Sequence, residues 1–336
     1  MMYGRSRHFA TVLLPVLIFG AARWAGAVHR TAAPEAALPA DSAGPARLEF
    51  SRSGIGRSGA LFTRQVMPGQ KVAAPVDWKG AAPLDASYRW INHEQTGPSL
   101  PFEPLLRAPA ESGVYSLEIT QAGTASLVED FTLLVKVPRT EVRGGRLKGY
   151  RMGEYPESAA TRTGRYALPD GFIQVDKNDV DLRLSEHFTV GEFLTHDQND
   201  VWPKFVVVEP RLLDKLELVM ADLERRGIPA KHMVIMSGFR TPQYNERGVG
   251  RGRAVLSRHQ YGDAADVWID NDRNWYMDDL NNDGRRDTGD ARIILESVER
   301  VEAAHPELIG GAGIYRDNGA HGPFIHIDTR GSRARW

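Results

Sequence analysis

Two short phrases near the end of the chain decide its reading: Ser257-Arg258-His259-Gln260-Tyr261-Gly262-Asp263-Ala264-Ala265-Asp266 and Phe324-Ile325-His326-Ile327-Asp328. Together they offer two imidazoles and a carboxylate, His259, Asp266 and His326. Three ligands of N/N/O type, with one position left for water, are the usual make-up of a catalytic zinc site, whereas closed structural sites take four ligands and are commonly rich in Cys. This chain has no Cys. Residues 264–269 read as a strand entered from a Gly turn, which would hold Asp266 rigidly. In 324–328 the residues alternate, with Ile325 and Ile327 on one face and His326 and Asp328 on the other. The pattern points His326 into a cleft and places Asp328 where it can orient a neighbouring imidazole.

Working outward, residues 182–336 read as one α+β domain. Leu184 to Phe193 opens it, with Thr189 as a candidate helix cap and His187 and His196 as local hydrogen-bonding residues. Residues 209–226 predict an amphipathic helix. Leu212, Leu213, Leu216, Val219, Met220 and Leu223 share a face, and Gly227 ends it. Val234-Ile235-Met236 predicts a buried strand delivering Ser237-Gly238-Phe239-Arg240-Thr241-Pro242. The guanidinium of Arg240 at that strand end suits holding a carboxylate or stabilising an oxyanion.

A second metal signal lies between the two phrases, in an insertion spanning 271–291. Counting from Asp279, oxygen-bearing side chains fall at Asp279, Asn281, Asp283, Asp287 and Asp290, with Gly284 at the sixth place and the Arg285 carbonyl at the seventh. This is the spacing of an EF-hand calcium loop, with Asp in place of the final Glu. The expectation is a structural Ca2+ bracing the insertion, against the alternative of an Asx-rich surface loop.

The earlier part of the chain is different. Residues 1–27 carry Arg5 and Arg7, then an apolar run from Phe9 to Ala22, then Ala25-Gly26-Ala27. They predict a secretory signal peptide, too short in its apolar part to span a bilayer comfortably, with an uncleaved signal anchor as the alternative. The expected location is therefore secreted or periplasmic, with no stable membrane span after cleavage. Residues 28–45 read as a linker. Residues 46–138 show short apolar runs punctuated by Gly and Pro, predicting a small β-sandwich, immunoglobulin-like, for spacing or docking. Residues 139–181 read as an irregular, basic bridge.

With 336 residues there is room for two ordinary domains, and the 42% apolar content suffices for packed cores. A net charge of −1 gives no reason to expect a nucleic-acid partner. The absence of Cys rules out disulfides and a lipidated N-terminal Cys. Oligomeric state leaves no signal in the sequence.

The assembled residues resemble the zinc D-alanyl-D-alanine carboxypeptidases and related murein endopeptidases, the group that shares a fold with the Hedgehog signalling domain. The resemblance covers roughly residues 182–336. It is carried by Ser237 to Pro242 with Asn245, by the Ser257, His259, Gly262, Ala264 and Asp266 pattern, by Gly311-x-Gly313-Ile314-Tyr315, and by Phe324 to Asp328 with Arg335-Trp336. It implies zinc on His259, Asp266 and His326, Arg240 near the scissile bond, and peptides of peptidoglycan as partners. Many relatives place a catalytic Glu three residues before the last ligand. Pro323 stands there in this chain. His321 is the best replacement as general base, with Asp328 the runner-up. A zinc peptidase is the leading expectation. A wall-binding protein that keeps the zinc fold without catalysis, and a calcium-dependent adhesion module built on the β-region, are the rivals.

Overall fold

The computed structural model describes residues 47–50, 55–79, 83, 85–93, 95–157, 166–319 and 321–336. The expected signal peptide (1–27) and linker (28–45) lie outside the described residues. Within the rest, Gly44–Trp336 forms one unit, an α+β arrangement of several small sheets and few helices.

The N-terminal part is all β. It contains β1 (Arg47–Phe50), β2 (Thr63–Val66), β3 (Lys71–Ala73), β4 (Val76–Lys79), β5 (Ser87–Ile91), β6 (Leu100–Pro101), β7 (Leu105–Arg107), β8 (Gly113–Gln121) and β9 (Thr124–Val135). Five of these make a sheet in the order β2-β9-β8-β5-β6, and β1-β4 and β3-β7 form separate two-stranded ribbons. Strand β5 alternates as a half-buried strand should, with Tyr88 and Trp90 turned inward.

The segment expected to be an irregular bridge is more ordered than its composition suggests. β10 (Val137–Pro138), β13 (Gly171–Val175) and β14 (Lys204–Val206) form a three-stranded sheet, and β11 (Arg146–Leu147) pairs with β12 (Tyr150–Arg151). Phe172, Ile173 and Val175 enter the core. The strand partners lie far apart in sequence, so local pattern alone could not pair them.

The C-terminal part holds α1 (Pro210–Arg225), β15 (Met233–Ser237), α2 (Pro242–Glu246), β16 (Ala264–Ile269), α3 (Thr288–Ala304), β17 (Gly311–Tyr315), β18 (Phe324–Asp328) and β19 (Ala334–Arg335). Its five-stranded sheet has the order β15-β16-β18-β17-β19, antiparallel except for the parallel β17–β19 pair. α1 packs against α3, and α3 lies on β17 and β18. All six apolar residues expected on one face of α1 are buried, each such side chain contributing about 1.5–3 kcal/mol.

The polar side of α1 is covered as well, which the amphipathic pattern did not foresee. Asp214, Lys215, Glu217 and Asp222 are all buried. The covering groups come from elsewhere in the chain. The Arg57 and Ser58 backbone N–H groups and the Ser58 hydroxyl donate to Asp214 Oδ1 at 2.8, 2.9 and 2.9 Å, and His187 Nδ1 pairs with Glu217 at 2.6 Å. The β-region is tied to the same body through Phe62 N–H to the Leu184 carbonyl, 3.0 Å, and through the Gln65 amide to the Val208 carbonyl, 2.8 Å. One apolar cluster runs from Ile55 to Ile327.

Candidate metal centre

Sheet register brings the two signature phrases together. β16 and β18 are antiparallel, with Asp266 directly opposite His326. Side chains opposed in this way start about 5 Å apart at Cβ. His259 arrives on a 3-10 turn, Arg258–Tyr261, just before β16. That turn closes on Gly262, whose φ of 73° is left-handed and whose missing Cβ would lie 2.5 Å from the Val207 carbonyl. The Arg240 N–H donates to the His259 carbonyl at 3.1 Å and pins the turn to the end of β15.

The three side chains converge. His259 Nε2 is 3.2 Å from Asp266 Oδ1 and 3.2 Å from His326 Nδ1, and His326 Nδ1 is 2.9 Å from Asp266 Oδ1. All three residues are buried. Among the described residues this is one of two groups whose ligand atoms lie mutually within 4.8 Å.

Each ligand is oriented from behind. His259 Nδ1–H donates to the Gly238 carbonyl at 2.8 Å, which leaves the Nε2 lone pair facing inward. His326 Nε2–H donates to Asp328 Oδ2 at 3.1 Å, which leaves Nδ1 facing inward. Asp266 Oδ2 accepts from Arg240 Nη2 at 2.6 Å, which leaves Oδ1 for the centre. Two imidazole nitrogens and a carboxylate oxygen facing one point form a donor set for a cation. The separations fit zinc, since ligands about 2.0–2.1 Å from a tetrahedral centre stand about 3.3 Å from one another.

The electrostatics agree. Burial and the His259 and His326 imidazoles act in opposite senses on Asp266, and the imidazoles win, holding its carboxyl well below the usual range. Burial pushes the His259 imidazole down. It acts the same way on His326, but the hydrogen bonds to Asp266 and Asp328 outweigh it and raise that group to about 8.

A cleft of about 660 Å³ opens over the trio. Arg240, Tyr315, His321 and Trp336 contribute to its walls. His321 Nδ1–H donates to the Gly322 carbonyl at 2.8 Å, so Nε2 is the ring's acceptor, and its ring stands edge-on to Phe324 at 4.8 Å. Asp328 is placed differently. It is fully buried and accepts from His326, from the Gly311 N–H at 2.7 Å and from the Arg330 guanidinium. Its oxygens are occupied behind His326, so it orients that ligand and is not available as a base at the cleft. Arg240, expected to hold a carboxylate or stabilise an oxyanion, lines the cleft and donates to Ser237 Oγ at 2.8 Å and to the Asp266 carboxylate.

Trp336 belongs to the site although the sequence reading assigned it no role. Its indole packs on the His326 ring at 5.4 Å between centroids and donates to the Tyr315 hydroxyl at 2.9 Å. Gly313 is paired with His326 across β17 and β18. A Cβ at Gly313 would fall inside the Trp336 ring. The Gly311-x-Gly313 phrase was the available signal: a glycine opposite a ligand marks a close approach.

The calcium expectation is not supported. Among the described residues, the carboxylates of Asp279, Asp283, Asp287 and Asp290 do not converge as a ligand group. Their oxygens, and that of Asn281, serve the loop's own backbone. Asp279 accepts from the N–H groups of Asp283 and Gly284, Asn281 from Asp283, and Asp283 from Arg285. Asp287 and Asp290 form a capping box at the start of α3, and buried Asp290 also accepts from the Leu280 N–H at 2.8 Å. The loop is thus an Asx-turn connector ending in a helix cap.

A buried His/Asp/His centre at the floor of an open cleft defines a metal-dependent hydrolase type of site. The family model described as Peptidase M15 matches residues 186–293, which supports a zinc M15 peptidase region, D-Ala-D-Ala carboxypeptidase-like, in the C-terminal part of the chain. The match takes in Arg240, His259 and Asp266, while His321 and His326 lie beyond it. No curated protein matches the chain.

Proposed function

We propose that the chain is a zinc-dependent peptidase acting on stem or cross-link peptides of peptidoglycan. The observation that carries this reading is the convergence of His259 Nε2, Asp266 Oδ1 and His326 Nδ1 beneath a cleft of about 660 Å³. Zinc held there supplies Lewis-acid polarisation and lowers the pKa of water towards ~7. His321, with Nε2 unprotonated, accepts the proton of the attacking water and returns it to the leaving amine. Asp328 and the Gly238 carbonyl keep the two imidazoles in their ligating tautomers. Arg240 holds Asp266 in place and carries positive charge to the cleft wall, where an oxyanion develops. Trp336 and Tyr315 close one side of the cleft and limit water.

Residues 1–27 support export to the envelope, and among the described residues no helix is long and apolar enough to cross a membrane. We read residues 46–138 as an immunoglobulin-like sandwich that docks or spaces the catalytic region, supported by the five-stranded sheet and its flanking ribbons. Pro323, standing where many relatives carry an acid, favours a second reading, a non-catalytic wall-binding protein with the zinc centre retained.

Mass spectrometry of murein peptides after incubation with the zinc-loaded protein separates the two. Cleavage that disappears in His259→Ala together with bound zinc supports the peptidase. Intact peptides that remain bound to the wild type point to the binder.

A further inference from the structure

The insertion after β16 presents two adjacent exposed aromatic side chains, the second of them beside the cleft. Trp275 is 73% exposed and Tyr276 58% exposed, while the next residue, Met277, is buried. Tyr276 lies against Gly322, its ring 3.9 Å from where a Cβ would stand, and Gly322 adjoins the cleft residue His321.

The loop here holds two residues in an unfavourable backbone conformation, Trp275 among them. Its φ is 67°, and Arg273 two residues earlier is at 58°. Bulky residues rarely adopt this left-handed backbone, which costs on the order of 1–3 kcal/mol and persists only where the surroundings impose it. The imposing group is Asp270, 1% exposed. Its two carboxylate oxygens accept from the Asn274 and Trp275 N–H groups at 2.9 Å each. The Tyr276 N–H donates to Asn274 Oδ1 at 2.9 Å, and the Asp278 N–H returns to the Ile269 carbonyl at 2.9 Å. The loop is braced from inside, and the bracing turns two large apolar faces towards water.

The flanking exposed residues are Asp272, Arg273 and Asn274, so the pair stands among hydrogen-bonding groups and not in an apolar patch. A flat ring face bordered by polar groups suits a sugar ring, which has an apolar C–H face and a hydroxylated rim.

We propose that Trp275 and Tyr276 form a stacking platform for an N-acetylated pyranose of the glycan strand, continuous with the peptide cleft at His321–Gly322. This rests on the peptidoglycan reading above and adds a saccharide subsite to it. The peptide occupies the cleft over the metal centre, and the sugar to which it is joined lies across the platform.

The test compares kcat/KM for a disaccharide-linked muropeptide with that for its sugar-free stem peptide. In Trp275→Ala and Tyr276→Ala the ratio of the two is expected to fall about five- to tenfold, the size of one lost aromatic stacking contact, with Trp275→Phe recovering much of it. A ratio that does not move, or equal losses on both substrates, overturns the proposal. If the wild type cleaves neither substrate, the peptidase reading fails separately. Titration of the full chain with an N-acetylglucosamine tetramer then decides the platform. Saturable binding lost in Trp275→Ala upholds it, and no binding overturns it. Binding to anionic phospholipid vesicles that Trp275→Ala abolishes, without tetramer binding, also overturns it in favour of a membrane surface.

Discussion

His326 Nε2 lies 3.1 Å from Asp328 Oδ2, two residues further along the same strand. The carboxylate can only accept, so the imidazole proton is fixed on Nε2 and Nδ1 is left to the metal. Asp328→Asn removes that certainty, because an amide can present its NH2 to the ring. Apparent zinc affinity is expected to fall about 10–100-fold. Competition against a chelator measures it, and unchanged affinity would remove Asp328 from the orienting role.

His321 and the ligands separate cleanly in a second experiment. His321→Ala is expected to lower kcat by about 10²–10⁴-fold while leaving one zinc per chain, because none of its interactions reaches the trio. Zinc loss in this variant would contradict the assignment, as would full activity.

The pH dependence of stability has a definite sign. Without metal, His326 titrates at about 8, above its ordinary value of ~6.5. Its pairing with Asp266 and Asp328 therefore stabilises the metal-free protein fully below ~6.5, and this is lost as pH rises through about 8. His187, raised by its hydrogen bond to Glu217, acts in the same sense. Asp263, which burial lifts to about 6, titrates below this window. The melting temperature of chelated protein should fall between pH 6.5 and 9, and less so in His326→Gln. Zinc must displace the His326 proton, so apparent zinc affinity should rise over the same range. A flat melting curve for the chelated wild type would refute the protonated pair.

Gly313 leaves no room for a single added methyl. In Gly313→Ala the methyl meets the Trp336 indole, which must move off the His326 ring. A loss of about 1–3 kcal/mol in unfolding free energy is expected. The double variant Gly313→Ala, Trp336→Ala should recover part of it. Denaturant unfolding of the set measures the coupling, and simple additivity would exclude the clash as the cause.

Much of the site was legible because its elements are short and strongly marked. The alternation in 324–328, the Gly-entered run at 264–269 and the amphipathic 209–226 segment all stand as strands and helix at nearly the expected bounds. What the sequence withheld was long-range. Nothing local tells that Asp266 faces His326 across a ladder, that Trp336 folds back beside Gly313, or that Arg57 and Ser58 cover Asp214. The calcium expectation finds no support, for a chemical reason. The Asp, Asn and Gly residues that suit a calcium loop are also those that suit Asx turns and helix caps, and spacing alone does not separate the two. Asp328 was read both as an orienting group and as a reserve base, and only its burial under Arg330 and Gly311 decides between these uses.

The hydrogen bonds from Arg57 and Ser58 to Asp214, and from Phe62 to Leu184, have a practical meaning for anyone trimming this protein. Cutting the chain near residue 182 to isolate the hydrolase would strip the lid from a buried carboxylate and expose the underside of α1 to water. A shortened version is expected to melt earlier than the full chain and to aggregate through that uncovered surface. The N-terminal β-region is in this sense part of the wall of the C-terminal region, and the seam between the two is a poor place for scissors.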